Sequence, residues 1–230
     1  MNDIEQQPDI AVFLASSVHD MKNSLCLLGG TLEQLIEQSP PDKPHHYDPL
    51  SSMLYEVKRI NDNLMHLLTL YKMGNQLYPF DSHPQALADF CNELLLQNRT
   101  LFDARKVALE VTVAQGQEWH FDADLINGVI SHALNNAVKY TRDTVHLSFA
   151  IQDKQLEIRV EDNGRGYPDR LLFDSQTERS GVDFSSGSTG LGLYFATQVA
   201  RLHHNRTQYG RVRLENGGSL GGGCFVLTLP

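Results

Sequence analysis

Leu14, Val18, Met21, Leu25, Leu28, Leu32 and Leu35 recur in strict alternation of four and three residues, a rhythm that an α-helix turns into a continuous apolar seam. The segment reads as one long amphipathic helix. A proline-rich break follows, Ser39-Pro-Pro-Asp-Lys-Pro-His-His-Tyr-Asp-Pro49. The rhythm then returns at Leu50, Leu54, Val57, Leu64, Leu68 and Tyr71, with Asn61 the polar position in that seam and Met53, Ile60 and Leu67 widening the stripe. Two antiparallel helices with stripes this wide do not fully cover each other, so the expected resolution is a homodimer in which two hairpins make a four-helix bundle. Gly74 and the polar stretch beyond it read as a linker. The expected division is a helical hairpin at 1–74, a linker at 75–83 and a second domain at 84–230.

Past the linker the period becomes mixed. Residues 84–103 and 122–140 have helical spacing, 107–113 alternates like a strand, 144–152 and 155–161 read as a strand pair, and 190–204 is helical again. Strands near 211–214 and 224–229 flank the glycine-rich stretch 216–223, which reads as a hairpin turn. Helices and an antiparallel-rich sheet in one block imply an α+β domain built in layers.

Charge narrows the partners. The 230 residues carry 19 Lys and Arg against 28 Asp and Glu, a formal net charge of -9, and the basic residues form no run. That pattern lacks the electrostatic footprint of a nucleic-acid or anionic-membrane binder. No apolar run reaches the roughly 20 residues of a membrane span, and the N-terminus lacks a basic and apolar leader. A soluble, cytoplasmic chain without a membrane segment of its own is expected, its input coming from a separate partner protein or from the dimer's own equilibrium. Cys26, Cys91 and Cys224 read as reduced core residues. His45 and His46 lack a third ligand and read as a solvated loop.

Two glycine-rich turns carry the chemistry. In Asp162-Asn-Gly-Arg-Gly166, Gly164 and Gly166 permit positive φ and close approach of a ligand, while Asp162 offers a buried acceptor matched to an exocyclic amine. In Gly187-Ser-Thr-Gly-Leu-Gly192, the residues from Gly187 through Thr189, Gly190, Leu191 and Gly192 open a helix whose unpaired N–H groups suit a phosphate. Upstream, Asn136, Lys139 and Tyr140 lie on neighbouring turns of one helix, bringing an amide oxygen, an ammonium and an aromatic ring toward one cleft. A hard amide oxygen at Asn136 suits Mg²⁺. Each turn alone is an ordinary strand end or helix cap.

Together, and in this order, residues 122–229 resemble the ATP-binding domain shared by sensor histidine kinases and gyrase-type ATPases, a two-layer α/β sandwich of the Bergerat or GHKL type. The resemblance implies that Asn136 holds Mg²⁺, Lys139 approaches phosphate, Tyr140 lines the nucleotide cleft, Asp162 binds adenine, and Gly164, Gly166, Gly190 and Gly192 shape the walls. It also places a mobile ATP lid between Tyr167 and Thr189, with Phe173 as a poor match to its aromatic residue. His132 stands where the family commonly has a further asparagine.

The same resemblance reaches the first helix. His19-Asp-Met-Lys-Asn23 is similar to the phosphoacceptor box of the histidine kinase dimerisation domain. A neutral imidazole is a nucleophile, and an adjacent carboxylate such as Asp20 fixes its tautomer and raises its basicity. Asn23 is implied to orient a water for hydrolysis of a phosphoaspartate. Ser24 replaces the proline common there. The expected function is a homodimeric histidine kinase that phosphorylates His19 from ATP with Mg²⁺ and passes the phosphoryl group to a response-regulator receiver domain. The alternatives are chiefly phosphatase activity, or a phosphotransfer or scaffold protein whose ATP domain is degenerate. An ATPase of the gyrase type leaves the His19 box unexplained.

Overall fold

The computed structural model describes residues 10–38, 44–113, 115–174 and 190–230. The chain forms two compact units, Met1–Tyr78 and Pro79–Pro230.

In the first unit α1 (Ile10–Gln38) packs against α2 (Pro44–Gly74). The apolar seam divides by heptads. Val18 is buried with Leu25 and Leu32 half-buried behind it, whereas Met21, Leu28 and Leu35 remain exposed. The second helix repeats the division, with Leu54 buried and Met53, Ile60 and Leu67 exposed. Gly29 faces Val57 across the pair, and a Cβ there would make ordinary van der Waals contact with Val57 Cγ1 at 3.8 Å. Lys58 and Glu33 pair across the helices at 2.9 Å. The break is shorter than its prolines suggest, because Pro49 lies within α2. Its missing N–H forgoes only a bond to residue 45, close to a helix start whose first N–H groups have no intrahelical partner. Cys26 is exposed, contrary to its expected place in a core, while Cys91 and Cys224 are buried. It sits one step past the seam residue Leu25, outside the packed stripe.

The second unit runs β1 (His83–Ala86), α3 (Leu87–Arg105), β2 (Ala108–Val113), β3 (Glu118–Phe121), α4 (Ala123–Tyr140), β4 (Thr144–Gln152), β5 (Gln155–Asp162), β6 (Phe173–Asp174), α5 (Gly190–Leu202), β7 (His204–Asn205), β8 (Gln208–Tyr209), β9 (Arg211–Gly217) and β10 (Gly222–Leu229). Residues 84–86, expected to begin a helix, instead pair antiparallel with β3. That partner lies some thirty residues downstream, so local pattern does not reveal it. The main sheet has the order β2-β4-β5-β10-β9-β6, with only β2 and β4 parallel.

Register assigns the two faces. Val145, Leu147, Phe149, Leu156, Ile158, Val160, Val212, Leu214, Phe225, Leu227 and Leu229 share the inner face, and all are buried. The wide stripe of α4, from Leu125 through Ile130 and Leu134 to Val138, packs there beside α3 and α5. The outer face is a charged lattice. Arg159 meets Glu157 at 3.1 Å, and Arg213 meets Glu157 at 3.2 Å and Glu215 at 2.7 Å. Val226 lies in register between those two arginines and is fully buried, because long cationic side chains cover apolar surface with their stems.

Asp122 ties three parts of this unit together. Its Oδ1 accepts from Leu125 N at 3.1 Å, capping α4, and its Oδ2 accepts from Asp81 N at 3.1 Å. Its own N–H donates to His203 Nε2 at 3.0 Å, so the ring proton sits on Nδ1, which donates to Val199 O at 2.8 Å. Asp122→Ala removes a helix cap and a buried tether, and is expected to cost about 2 kcal/mol in urea unfolding, on the scale of a lost N-cap with one further bond. A loss below about 0.5 kcal/mol would show that the cap is dispensable.

Candidate functional site

His132, Asn136 and Tyr140 fall four residues apart on α4 and therefore share one face of the helix. All three line a cleft of about 210 Å³, together with Asp162, Arg165, Gly166, Tyr167, Gly192, Leu214, Gly223 and Phe225. A larger cleft of about 580 Å³ lies elsewhere on this unit, between residues such as Trp119, His120, Lys154 and His204, and holds none of the motif residues. The smaller one is the candidate site because it gathers residues from four distant stretches of sequence around a buried carboxylate.

That carboxylate is Asp162, at the end of β5 and 6% exposed. Its Oδ1 accepts from Gly164 N at 2.7 Å and from Gly223 N at 3.2 Å. Oδ2 takes neither bond. A Cβ on Gly223 would stand 2.8 Å from Oδ2, so the absence of a side chain there keeps space open beside that oxygen. Gly164 passes beneath the end of α4, where a Cβ would strike the Tyr140 carbonyl oxygen. Asn163 binds the same junction from the side. Its Oδ1 accepts from the Thr141 hydroxyl at 2.7 Å, Arg142 N at 3.1 Å and Asp143 N at 3.2 Å. Its Nδ2 donates to Asp143 at 2.7 Å, and the Thr144 hydroxyl together with this bond holds the Asp143 carboxyl below its usual range.

The opposite wall is the start of α5, where Gly192 and Leu193 reach the cleft. The His132 ring packs so closely on Gly192 that a Cβ there would overlap its Nε2. Burial lowers the His132 pKa to about 4, leaving a neutral imidazole on that wall at physiological pH. Burial, with the Asp162 carboxylate beside it, raises the Tyr167 phenol well above its usual value. Arg165 and Arg170 line the cleft and are solvent-exposed, giving it a cationic rim suited to an anion.

The expected site residues divide as follows. Asn136, Tyr140, Asp162, Gly166 and Gly192 line the cleft, and Gly164 supports it from beneath. Gly190 and Leu191 begin α5. Lys139 is not among the lining residues, and its ammonium lies 5.2 Å from the Tyr140 ring centroid. Gly187 and Thr189 lie outside the described residues, as does most of the expected lid. Its first part contains a turn at Asp169–Leu171 and a pairing of Phe173 with Leu214. On α1, residue 19 is helical, and Asp20 and Asn23 are exposed. Ser24 leaves the helix unbroken, its hydroxyl donating to Asp20 O at 3.0 Å. Tyr167, Arg170, Leu214, Gly223 and Phe225 escaped the sequence reading as wall residues. Gly223 lay in a glycine cluster that signalled only a turn, and Leu214 and Phe225 look like ordinary strand core.

Residues 121–230 match the family described as histidine kinase-, DNA gyrase B- and HSP90-like ATPase. The chain is 26% identical over 233 residues to the signal transduction histidine-protein kinase AfsQ2 of Streptomyces coelicolor, covering 95% of this chain and 41% of that protein. It is 22% identical over 225 residues to the sensor protein SrrB of Staphylococcus aureus, covering 95% and 37%. The chain thus spans about two fifths of the length of the curated relatives it matches. Among solved structures, the Acinetobacter baumannii histidine kinase AdeS aligns with a TM-score of 0.57 at 19% identity over 92% of this chain and 96% of that one. A nucleotide-free catalytic domain of the histidine kinase ThkA aligns at 0.54 and 18% identity over 65% and 97%.

The depressed pKa of His132 makes a pH prediction. Between about pH 6.5 and 4 the unfolded chain binds a proton at this residue and the folded chain does not, so its contribution to stability is lost as pH falls through that window. Buried His203, also lowered, acts in the same sense. Thermal unfolding at pH 7.5 and pH 5 is expected to show a smaller pH-dependent drop in Tm for His132→Asn than for wild type; equal drops would mean that this ring titrates normally.

Proposed function

Taking residues 121–230 as a histidine kinase-, DNA gyrase B- and HSP90-like ATPase domain within a chain homologous to sensor histidine kinases, we propose that this protein is an ATP-dependent protein histidine kinase. The single observation that carries the reading is the cleft itself, in which a buried carboxylate, an amide and the start of a helix converge. Asp162 Oδ2 accepts the exocyclic amine of adenine in the space that Gly223 leaves open. The N–H groups at the start of α5 receive phosphate oxygens. The cationic rim draws the triphosphate in.

Asn136 offers the hard oxygen that would hold Mg²⁺, and Tyr140 lies one turn beyond it. His132, one turn before, is a neutral nitrogen donor, so α4 contributes fewer oxygens to the ion than the family's usual pair. Bound there, Mg²⁺ would supply charge neutralisation at the phosphates. The nucleophile is the His19 imidazole, which attacks the γ-phosphorus. An N–P bond forms as the P–O bond to ADP breaks, and the displaced ring proton passes to Asp20 or solvent. The phosphoryl group then moves to an aspartate of a response-regulator receiver domain. The exposure of both Asp20 and Asn23 favours a second capacity, hydrolysis of the phosphoaspartate.

The exposed heptad rows on α1 and α2 support a homodimer through the hairpin, since soluble monomers rarely leave so regular an apolar surface uncovered. No helix among the described residues is long and apolar enough to cross a membrane.

With γ-labelled ATP and Mg²⁺, wild type is expected to acquire acid-labile, base-stable label, and His19→Gln to acquire none. Label on both would move the acceptor elsewhere, and label on neither would favour the phosphatase or scaffold alternatives. A second expectation concerns assembly. Leu28→Glu with Ile60→Glu should convert a dimer to a monomer in sedimentation equilibrium, and an unchanged mass would place the subunit interface elsewhere.

A further inference from the structure

Three groups converge on one small volume in the cleft, and a single residue joins the elements that carry them. The position a Cβ would occupy on Gly223 is 2.8 Å from Asp162 Oδ2 and 3.0 Å from Tyr167 Cε2. Gly223, the Asp162 carboxylate and the Tyr167 ring thus frame the same pocket corner. Asn216 lies directly across the β9–β10 ladder from Gly223. Its side chain turns to the segment after β5, where Tyr167 N donates to its Oδ1 at 2.6 Å and its Nδ2 donates to Tyr167 O at 2.8 Å.

This is a two-bond amide clamp of the kind one strand makes on another, supplied by a side chain forty-nine residues away in sequence. The clamp also accounts for Gly166. That residue has φ +76°, and a Cβ on it would stand 2.7 Å from Asn216 Oδ1, so any larger residue would push the amide away. Among the described residues Tyr167 itself lies in no helix or strand, and what comes directly after it is a short turn and the two-residue β6. Without the clamp its ring position depends on packing alone.

We infer that Asn216 is a positioning residue for base recognition, fixing the Tyr167 ring against Gly223 so that Asp162 Oδ2 meets an aminopurine at a set distance and angle. The inference rests on the ATP-site reading and deepens it by assigning what enforces preference for the base. Asn216 acts through Tyr167 and is expected to leave the phosphate-facing side of the cleft, at Asn136 and α5, unaffected.

The test is calorimetric titration of the full chain with ATP and with purine riboside triphosphate, which lacks only the exocyclic amine. Wild type should bind ATP more tightly than the amine-free nucleotide. In Asn216→Ala, ATP affinity should fall about tenfold while affinity for the amine-free nucleotide changes less than threefold, so that the preference collapses. A purely structural defect would weaken both nucleotides alike. Asn216→Asp keeps the acceptor for Tyr167 N but sets an anion against Tyr167 O, and should show the same collapse with a near wild-type Tm. That isosteric variant decides the matter should the alanine variant fail to unfold cooperatively. Undiminished preference in a folded variant would overturn the inference and leave ATP binding intact. Wild type that binds neither nucleotide would overturn the ATP-site reading, and this inference with it.

Discussion

Asp162 stands where the sheet, the turn after β5 and the β10 strand come together. A carboxylate this deeply buried is costly unless its oxygens find donors, and one oxygen finds two backbone N–H groups, from Gly164 and Gly223. These bonds fix the two glycine-bearing segments relative to each other as well as satisfying the carboxylate. Because Oδ1 takes both, Oδ2 keeps its capacity for something that enters the cleft. The rest of the site is arranged around that asymmetry. Gly164 lets the turn slide under α4, Asn163 binds the α4–β4 turn to it, and the register of β10 with β9 brings Asn216 opposite Gly223.

The two units rest on different physics. The sheet unit buries most of one face, leaving Val111 on β2 exposed, and shields the other with paired arginines and glutamates, so its core is largely closed within the chain. The hairpin has only two helices, and a two-helix interface hides one row of each apolar stripe. Val18, Leu25 and Leu32 are turned inward while Met21, Leu28 and Leu35 are left out. Its stability as a lone hairpin is correspondingly small.

Much of this was legible from residues. The seven-residue rhythm gave both long helices, and the spacing of Asn136 and Tyr140 already put them on one helical face. The glycine turns marked the cleft because backbone approach leaves a mark in composition. What escaped detection depended on partners far away in the chain. Strand β1 exists because β3 pairs with it, and Pro84 gave a contrary local signal. Leu214 and Phe225 are wall residues only because the pairing of β9 with β10 sets them side by side on the face that the cleft opens over. Lys139 is on the right helix but one step off the cleft-facing row. Asn216, in a turn-rich stretch, resembled a loop residue because nothing near it in sequence names Tyr167 as its partner.

Strand β10 lies near the middle of the sheet and is buried along all eight residues. Its neighbour β5 is some sixty residues earlier in the chain, one of the most sequence-distant pairings in the unit. Contacts of such long separation are slow to form because the intervening loop must close before any of them is gained. On a ribosome this has a definite order. The hairpin helices and α4 emerge early, but Asp162 lacks its second donor and the corner beside Tyr167 lacks its floor until residues 222–229 have been made. A nascent chain therefore has no assembled cleft, and the site comes into being only when the last central strand is inserted between β5 and β9.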